Sequence, residues 1–207
     1  MDHPRGRAGT GSVVIEFTPS TALIVVDVQN AFADPDGSLF VSGAPRVIDT
    51  INDHVAAAAG AGALVVRTQD WHPEHTPHFA KDGGIWPDHC IADTWGAGFH
   101  PALGAEGPVV RKGTGGEDGY SGFTVRDPES GAESPTELDD LLRSHDITDV
   151  VVLGLATDYC VKETAIDAAR LGYSTRLVAD GIAAVNLAPG DGARSIAAMV
   201  NAGVQVV

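Results

Sequence analysis

The sequence predicts an α/β protein, an open three-layer sandwich in which a mainly parallel sheet of six strands lies between two layers of helices. Three observations lead there. Short uninterrupted apolar runs recur along the 207 residues, segments with helical spacing lie between several of them, and glycines or polar residues punctuate the joins. Runs that are apolar throughout, rather than alternating, suit strands buried on both faces. Parallel neighbours need connections of a dozen or more residues, and strand–helix alternation provides them.

The first strand is ALIVV at 22–26, stopped by Asp27. ALVVRT at 63–68, PVVRK at 108–112, DVVVLGL at 149–155, STRLVAD at 174–180 and VQVV at 204–207 supply the other five. Between the first two, 44–59 places Val47, Ile48, Ile51 and Val55 on one stripe and ends at Gly60, as a C-cap would. A helix over 135–144 is predicted from Ser134 as N-cap and Pro135 at the first helical position, where its missing N–H costs nothing. Two more helices are predicted over 160–171, ending at Gly172, and 191–202, ending at Gly203. The stretch 71–107 has little periodicity and is rich in His, Pro, Trp and Gly; a loop of that length inside a compact domain is usually functional.

Composition narrows the function. A net charge of -15 repels phosphates and anionic lipid, so neither nucleic acid nor membrane is an expected partner. Two cysteines, Cys90 and Cys160, are too few for a disulfide-stapled scaffold; reduced thiols and a cytoplasmic location are expected. Residues 1–19 read as a flexible, Gly-rich N-terminal tail and 20–207 as one domain.

In sheets of this kind ligands bind beyond the carboxyl ends of the strands, which directs attention to Asp27, Asp70, Lys112 and the turn before Cys160. Cys160 opens a helix-patterned stretch, and a helix N-terminus favours both a thiolate and a developing oxyanion. On position alone it is either a nucleophile or a small buried apolar side chain. Asp27 and Lys112, each at a strand end, could exchange a proton with that sulfur and stabilise its thiolate, or could merely pair with each other. The segment 70–89, DWHPEHTPHFAKDGGIWPDH, concentrates imidazoles and carboxylates. Asp70 and His72, two apart on extended chain, can face one divalent ion, with His78 and His89 completing the set; a polar surface loop is the alternative. Such mixed ligands suit Zn, with Fe or Mn as alternatives. Phe32, Trp86 and Tyr120 lie in loops near these groups and could stack on a flat heteroaromatic ring, although each singly fits ordinary packing.

Together ALIVVDVQNAF (22–32), DWHPEHTPHF with IWPDHC, VVRKG (109–113), YSGF (120–123) and GLATDYCVKETAIDAARLGY (154–173) resemble the nicotinamidase branch of the isochorismatase-like cysteine hydrolases over about residues 20–207. The resemblance implies that family's six-stranded α/β fold and a catalytic set of Asp27, Lys112 and Cys160. It further implies a non-proline cis peptide between Leu155 and Ala156, and an oxyanion hole from the N–H groups of Ala156 and Cys160. One divalent ion, zinc or alternatively iron or manganese, would sit on Asp70, His72 and His89, with His78 as fourth ligand and His75 as its substitute. Gln29, Phe32, Trp86 and Tyr120 would contact the substrate. The implied reaction is hydrolysis of nicotinamide to nicotinate and ammonia in NAD salvage, by a chain that could form homo-oligomers. Another small amide, such as an N-carbamoyl compound or a different heteroaromatic carboxamide, is the alternative; a non-catalytic ligand-binding role is a further one. Two departures from the family pattern stand out: Thr76 where a histidine is usual, and Ala31 where Asp is common.

Overall fold

The computed structural model describes residues 15–207. Its main sheet contains β1 (Thr21–Val26), β2 (Leu64–Asp70), β3 (Val109–Lys112), β6 (Asp149–Leu155), β7 (Ser174–Ala183) and β8 (Gln205–Val206), in the order β3-β2-β1-β6-β7-β8. Every pairing between neighbours in it is parallel. These are the six strands expected from the apolar runs. A separate antiparallel pair, β4 (Thr124–Arg126) and β5 (Glu133–Pro135), was not anticipated.

The helices are α1 (Asn30–Ala33), α2 (Ala44–Gly60), α3 (Leu138–Ser144), α4 (Lys162–Arg170) and α5 (Asp191–Asn201). Pleating sends Leu23 and Val25 of β1 to one face and Ala22, Ile24 and Val26 to the other. On the first face they pack with Val47, Ile48, Ile51 and Val55, the predicted stripe of α2. On the second they meet Leu138 and Leu142 of α3, Ala165 and Ala168 of α4 and Met199 of α5. The sheet is therefore covered on both sides, which is why its central strands carry no alternation. Ile15 and Phe17 pack against the first cluster, so the packed body begins before residue 20; the rest of the expected tail, residues 1–14, lies outside the described residues.

One helix start differs from expectation. Ser134 and Pro135 belong to β5, not to an N-cap and first turn, and α3 begins at Leu138, whose N–H donates to the Thr136 hydroxyl at 3.2 Å. Proline at the end of a strand in a two-stranded ribbon forfeits no essential ladder bond, so the same residue type suits either role.

The order of strands reverses between β1 and β6: β2 and β3 lie on one side, β7 and β8 on the other. A crevice opens at such a reversal, beyond the carboxyl ends of the strands. Asp27 follows β1, and a turn containing Cys160 follows β6, so the two residues flank it.

Candidate active site

Asp27 leaves β1 with φ of 47°, a left-handed turn that carries its fully buried carboxylate beneath the crevice. Thr68 in β2 donates to Asp27 Oδ1 at 2.6 Å and accepts from the Asp27 N–H at 3.3 Å. Lys112 ends β3, two strands away, roughly 10 Å at ordinary strand spacing. Its long side chain crosses the end of β2, and its Nζ lies 2.7 Å from Asp27 Oδ2. The same ammonium donates to Asp70 Oδ1 and to the Gly119 carbonyl, and at 3.5 Å to Cys160 Sγ. The three residues expected to meet from separate strand ends therefore meet.

Cys160 sits in a single π-helical turn, Thr157–Val161, between β6 and α4. The peptide bond Leu155–Ala156 is cis, as the resemblance implied. Ala156 and Cys160 both line the crevice. Asp158 secures the turn by accepting from the N–H groups of Val185 (2.9 Å) and Asn186 (2.7 Å) beyond β7.

Electrostatics define the resting state. Burial pushes the Cys160 thiol well up, and Lys112 only partly opposes it, so the sulfur is protonated at neutral pH. Burial also raises the Asp27 carboxyl, again against Lys112. Burial would lower Lys112, yet Asp27, Asp70 and Cys160 together hold it well above the usual ammonium range. Asp70 is raised by burial but ends well below the usual carboxylate range, chiefly through Lys112. With two carboxylates and one ammonium the cluster carries one net negative charge. A proton passing from Cys160 to Asp27 leaves that charge unchanged, whereas one lost to solvent would double it among buried groups. Asp27 Oδ2 can receive the proton: it lies close to Lys112 but accepts no aligned hydrogen bond from a described residue.

Beside this cluster stands a second one. Ligand atoms of His72, His78 and His89 lie within 4.8 Å of one another, all buried. Asp70 Oδ2 is 3.9 Å from His72 Nε2 and 4.0 Å from His89 Nε2. Neither ring nitrogen of His72 has a hydrogen-bond partner among the described residues, although both are buried. Nδ1 of His89 is engaged by the Pro87 carbonyl (2.8 Å) and Nδ1 of His78 by Asp118 Oδ1 (2.6 Å), which leaves Nε2 of each ring for another partner. Burial pushes His89 down to about 4, so its ring is neutral at pH 7. Three buried, converging imidazoles beside a carboxylate, one of them with neither nitrogen partnered among the described residues, fit a divalent cation of the zinc, iron or manganese kind. His75 does not join them: it is exposed on the surface and pairs with Asp82. His100 pairs with Asp34 at 3.7 Å.

Over both clusters opens a cleft of about 430 Å³, with Phe32, Trp86, Tyr120 and Tyr159 among its walls. The Trp86 indole N–H donates to the Tyr120 hydroxyl at 2.7 Å, and Trp86 meets Tyr159 edge-on at 4.8 Å. Phe32, Trp86 and Tyr120 are where the sequence reading expected them. Gln29 is not: its side chain donates to the carbonyls of Asp70 and Ala97 and accepts from the Asp70 N–H, all at 2.8 to 2.9 Å. With its amide committed to backbone and no surface exposed, it is absent from the cleft wall and instead braces Asp70.

Residues 21–207 match the isochorismatase domain family. The chain belongs to that family. It is 37% identical to the nicotinamidase of Escherichia coli over 210 residues, covering 89% of this chain and 93% of the relative. The pyrazinamidase of Pyrococcus horikoshii in complex with zinc superposes with a TM-score of 0.81 at 36% identity, covering 91% of this chain and 99% of that one. PnC1 of L. infantum in complex with nicotinate does so with a TM-score of 0.84 at 34% identity, covering 94% and 96%.

Both departures from the family pattern have a local account. Thr76 is buried and donates to the Gly116 carbonyl at 2.6 Å, tying the histidine loop to the loop after β3. Ala31 is buried in α1, in the first core cluster rather than the cleft. Four contributors escaped the sequence reading: Thr68, Asp118, Tyr159 and the Gly119 carbonyl. Only Tyr159 left a signal there, as an aromatic next to the candidate nucleophile.

Proposed function

We propose that this chain is a metal-assisted cysteine amidohydrolase that converts nicotinamide to nicotinate and ammonia, a step of NAD salvage. The observation that carries the reading is the contact chain from Cys160 Sγ to Lys112 to Asp27, at the floor of an aromatic cleft and flanked by four potential metal ligands. Similarity to the E. coli nicotinamidase and to the nicotinate-bound L. infantum protein supports the choice of substrate.

Asp27 takes the proton of Cys160 while Lys112 stabilises the thiolate that forms. The sulfur adds to the carboxamide carbon. The N–H groups of Ala156 and Cys160 receive the negative charge that develops on the carbonyl oxygen. Asp27 then gives its proton to the amide nitrogen, the C–N bond breaks and ammonia leaves a thioester on Cys160. A water that loses a proton to Asp27 attacks the thioester; the acid departs, releasing its remaining proton to solvent as nicotinate, and Asp27 returns the first proton to sulfur. Phe32, Trp86, Tyr120 and Tyr159 enclose the flat ring and exclude water from it.

Asp70, His72, His78 and His89 would hold the divalent ion, and zinc in the P. horikoshii relative supports that metal. Lewis acidity toward the lone pair of the ring nitrogen is the chemistry such an ion supplies when bound. Ammonia release from nicotinamide tests the reading: Cys160→Ala is expected to lower kcat on the order of 10⁴-fold or more. In a panel of amides at equal concentration nicotinamide should give the highest kcat/KM; a higher value on an N-carbamoyl compound would overturn the substrate assignment.

A further inference from the structure

We propose that Asp118 is the positioning residue that makes His78 a metal ligand; the inference rests on the metal reading above. The His78 ring is buried and stacked on His72 at a centroid distance of 4.7 Å. Its two nitrogens face different things. Nδ1 lies 2.6 Å from Asp118 Oδ1, close enough for a charge-assisted hydrogen bond. The carboxylate accepts a hydrogen bond from Nδ1–H, which keeps the proton on Nδ1, leaves the lone pair on Nε2 and orients the ring toward His72 and His89. A carboxylate in that place also makes the opposite nitrogen a better donor, and removing such a partner typically weakens metal binding 10- to 100-fold.

Among the three imidazoles His78 alone has a carboxylate on Nδ1. His89 has a neutral carbonyl there, and His72 has no partner among the described residues. Asp118 is itself held by backbone. Its N–H donates to the Arg126 carbonyl at 2.7 Å and its carbonyl accepts from the Arg126 N–H at 2.9 Å, an antiparallel bridge to β4. The unanticipated β4–β5 ribbon thus anchors this side chain. Asp118 does not line the cleft that contains Cys160, so its effect must pass through His78. A bidentate contact or a second ion is not needed: one oxygen on one nitrogen suffices.

The test is zinc affinity of the full chain, stripped with a chelator and titrated with Zn²⁺ against a chromophoric competitor. Asp118→Ala should weaken zinc binding 10- to 100-fold, and Asp118→Asn, which keeps a neutral acceptor, should weaken it less. In a His78→Ala background Asp118→Ala should have no further effect. Metal-free Asp118→Ala and metal-free wild type should give the same circular-dichroism spectrum at the titration temperature, so that lost affinity is not lost fold. Wild-type affinity in Asp118→Ala, or an equal loss with and without His78, overturns the inference while leaving the metal reading intact. Failure of the wild-type chain to bind zinc overturns the metal reading, and this inference with it.

Discussion

Asp27 holds its two carboxylate oxygens to different tasks. Oδ1 is fixed by the Thr68 hydroxyl, and Oδ2 stays beside Lys112 without an aligned donor among the described residues, where the proposed mechanism delivers the Cys160 proton. Since burial raises this carboxyl above its usual 3.8, it is protonated and unable to act as a base up to a higher pH than an exposed aspartate would be. The acid limb of kcat/KM for nicotinamide should therefore fall as pH drops through a midpoint above 3.8. Thr68→Val removes a bond that favours the carboxylate, and should move that midpoint further up; an unchanged pH profile in the variant would dissociate Asp27 from proton transfer. Thr68 was invisible in the sequence because a threonine inside a strand has no signature, and its partner is 41 positions away. Gln29 misled for the opposite reason. It lies two residues after Asp27 in sequence, but the chain turns its amide into the backbone of Asp70.

The elements that place these side chains were legible where packing leaves a strong pattern. The strands of the main sheet announce themselves through their apolar runs, most clearly ALIVV in β1 and VVVLGL in β6, because both faces of these central strands are covered. β4 and β5 do not. Each is three residues long, β5 is wholly exposed, and TVR and ESP show no useful alternation. Their role in holding Asp118 could come only from three dimensions. β6 carries a different local device at Gly154, where pairing with β7 shifts register between Val152 and Gly154. Gly154 has φ of +122°, and a Cβ there would sit 2.2 Å from the Val26 carbonyl oxygen, the residue before Asp27. Gly154→Ala must therefore strain its own backbone and push β1 away. A destabilisation of about 2 kcal/mol or more is expected from denaturant unfolding, together with loss of activity, since both flanks of the crevice move.

At the scale of the whole molecule, the site sits where one layer of the fold changes direction and where loops from both halves of the chain close over it. Metal binding there should stabilise the entire domain, because an ion that binds only the folded chain adds free energy by mass action. At 1,000 times its dissociation constant the contribution is about 4 kcal/mol, which for a domain of this size corresponds to roughly 8 to 16 °C in Tm. Chelation should remove that increment and excess zinc restore it, read by calorimetry; identical melting with and without chelator would argue against a resident ion. The enclosure of Lys112 has a chemical corollary. The chain has three lysines. Lys81 and Lys162 keep 34% and 27% of their side chains in solvent, and Lys112 keeps none. An amine-acylating reagent needs an uncharged, accessible nitrogen, and Lys112 offers neither. Mass spectrometry of the native protein should find the label on two lysine side chains, with the third modified only after denaturation.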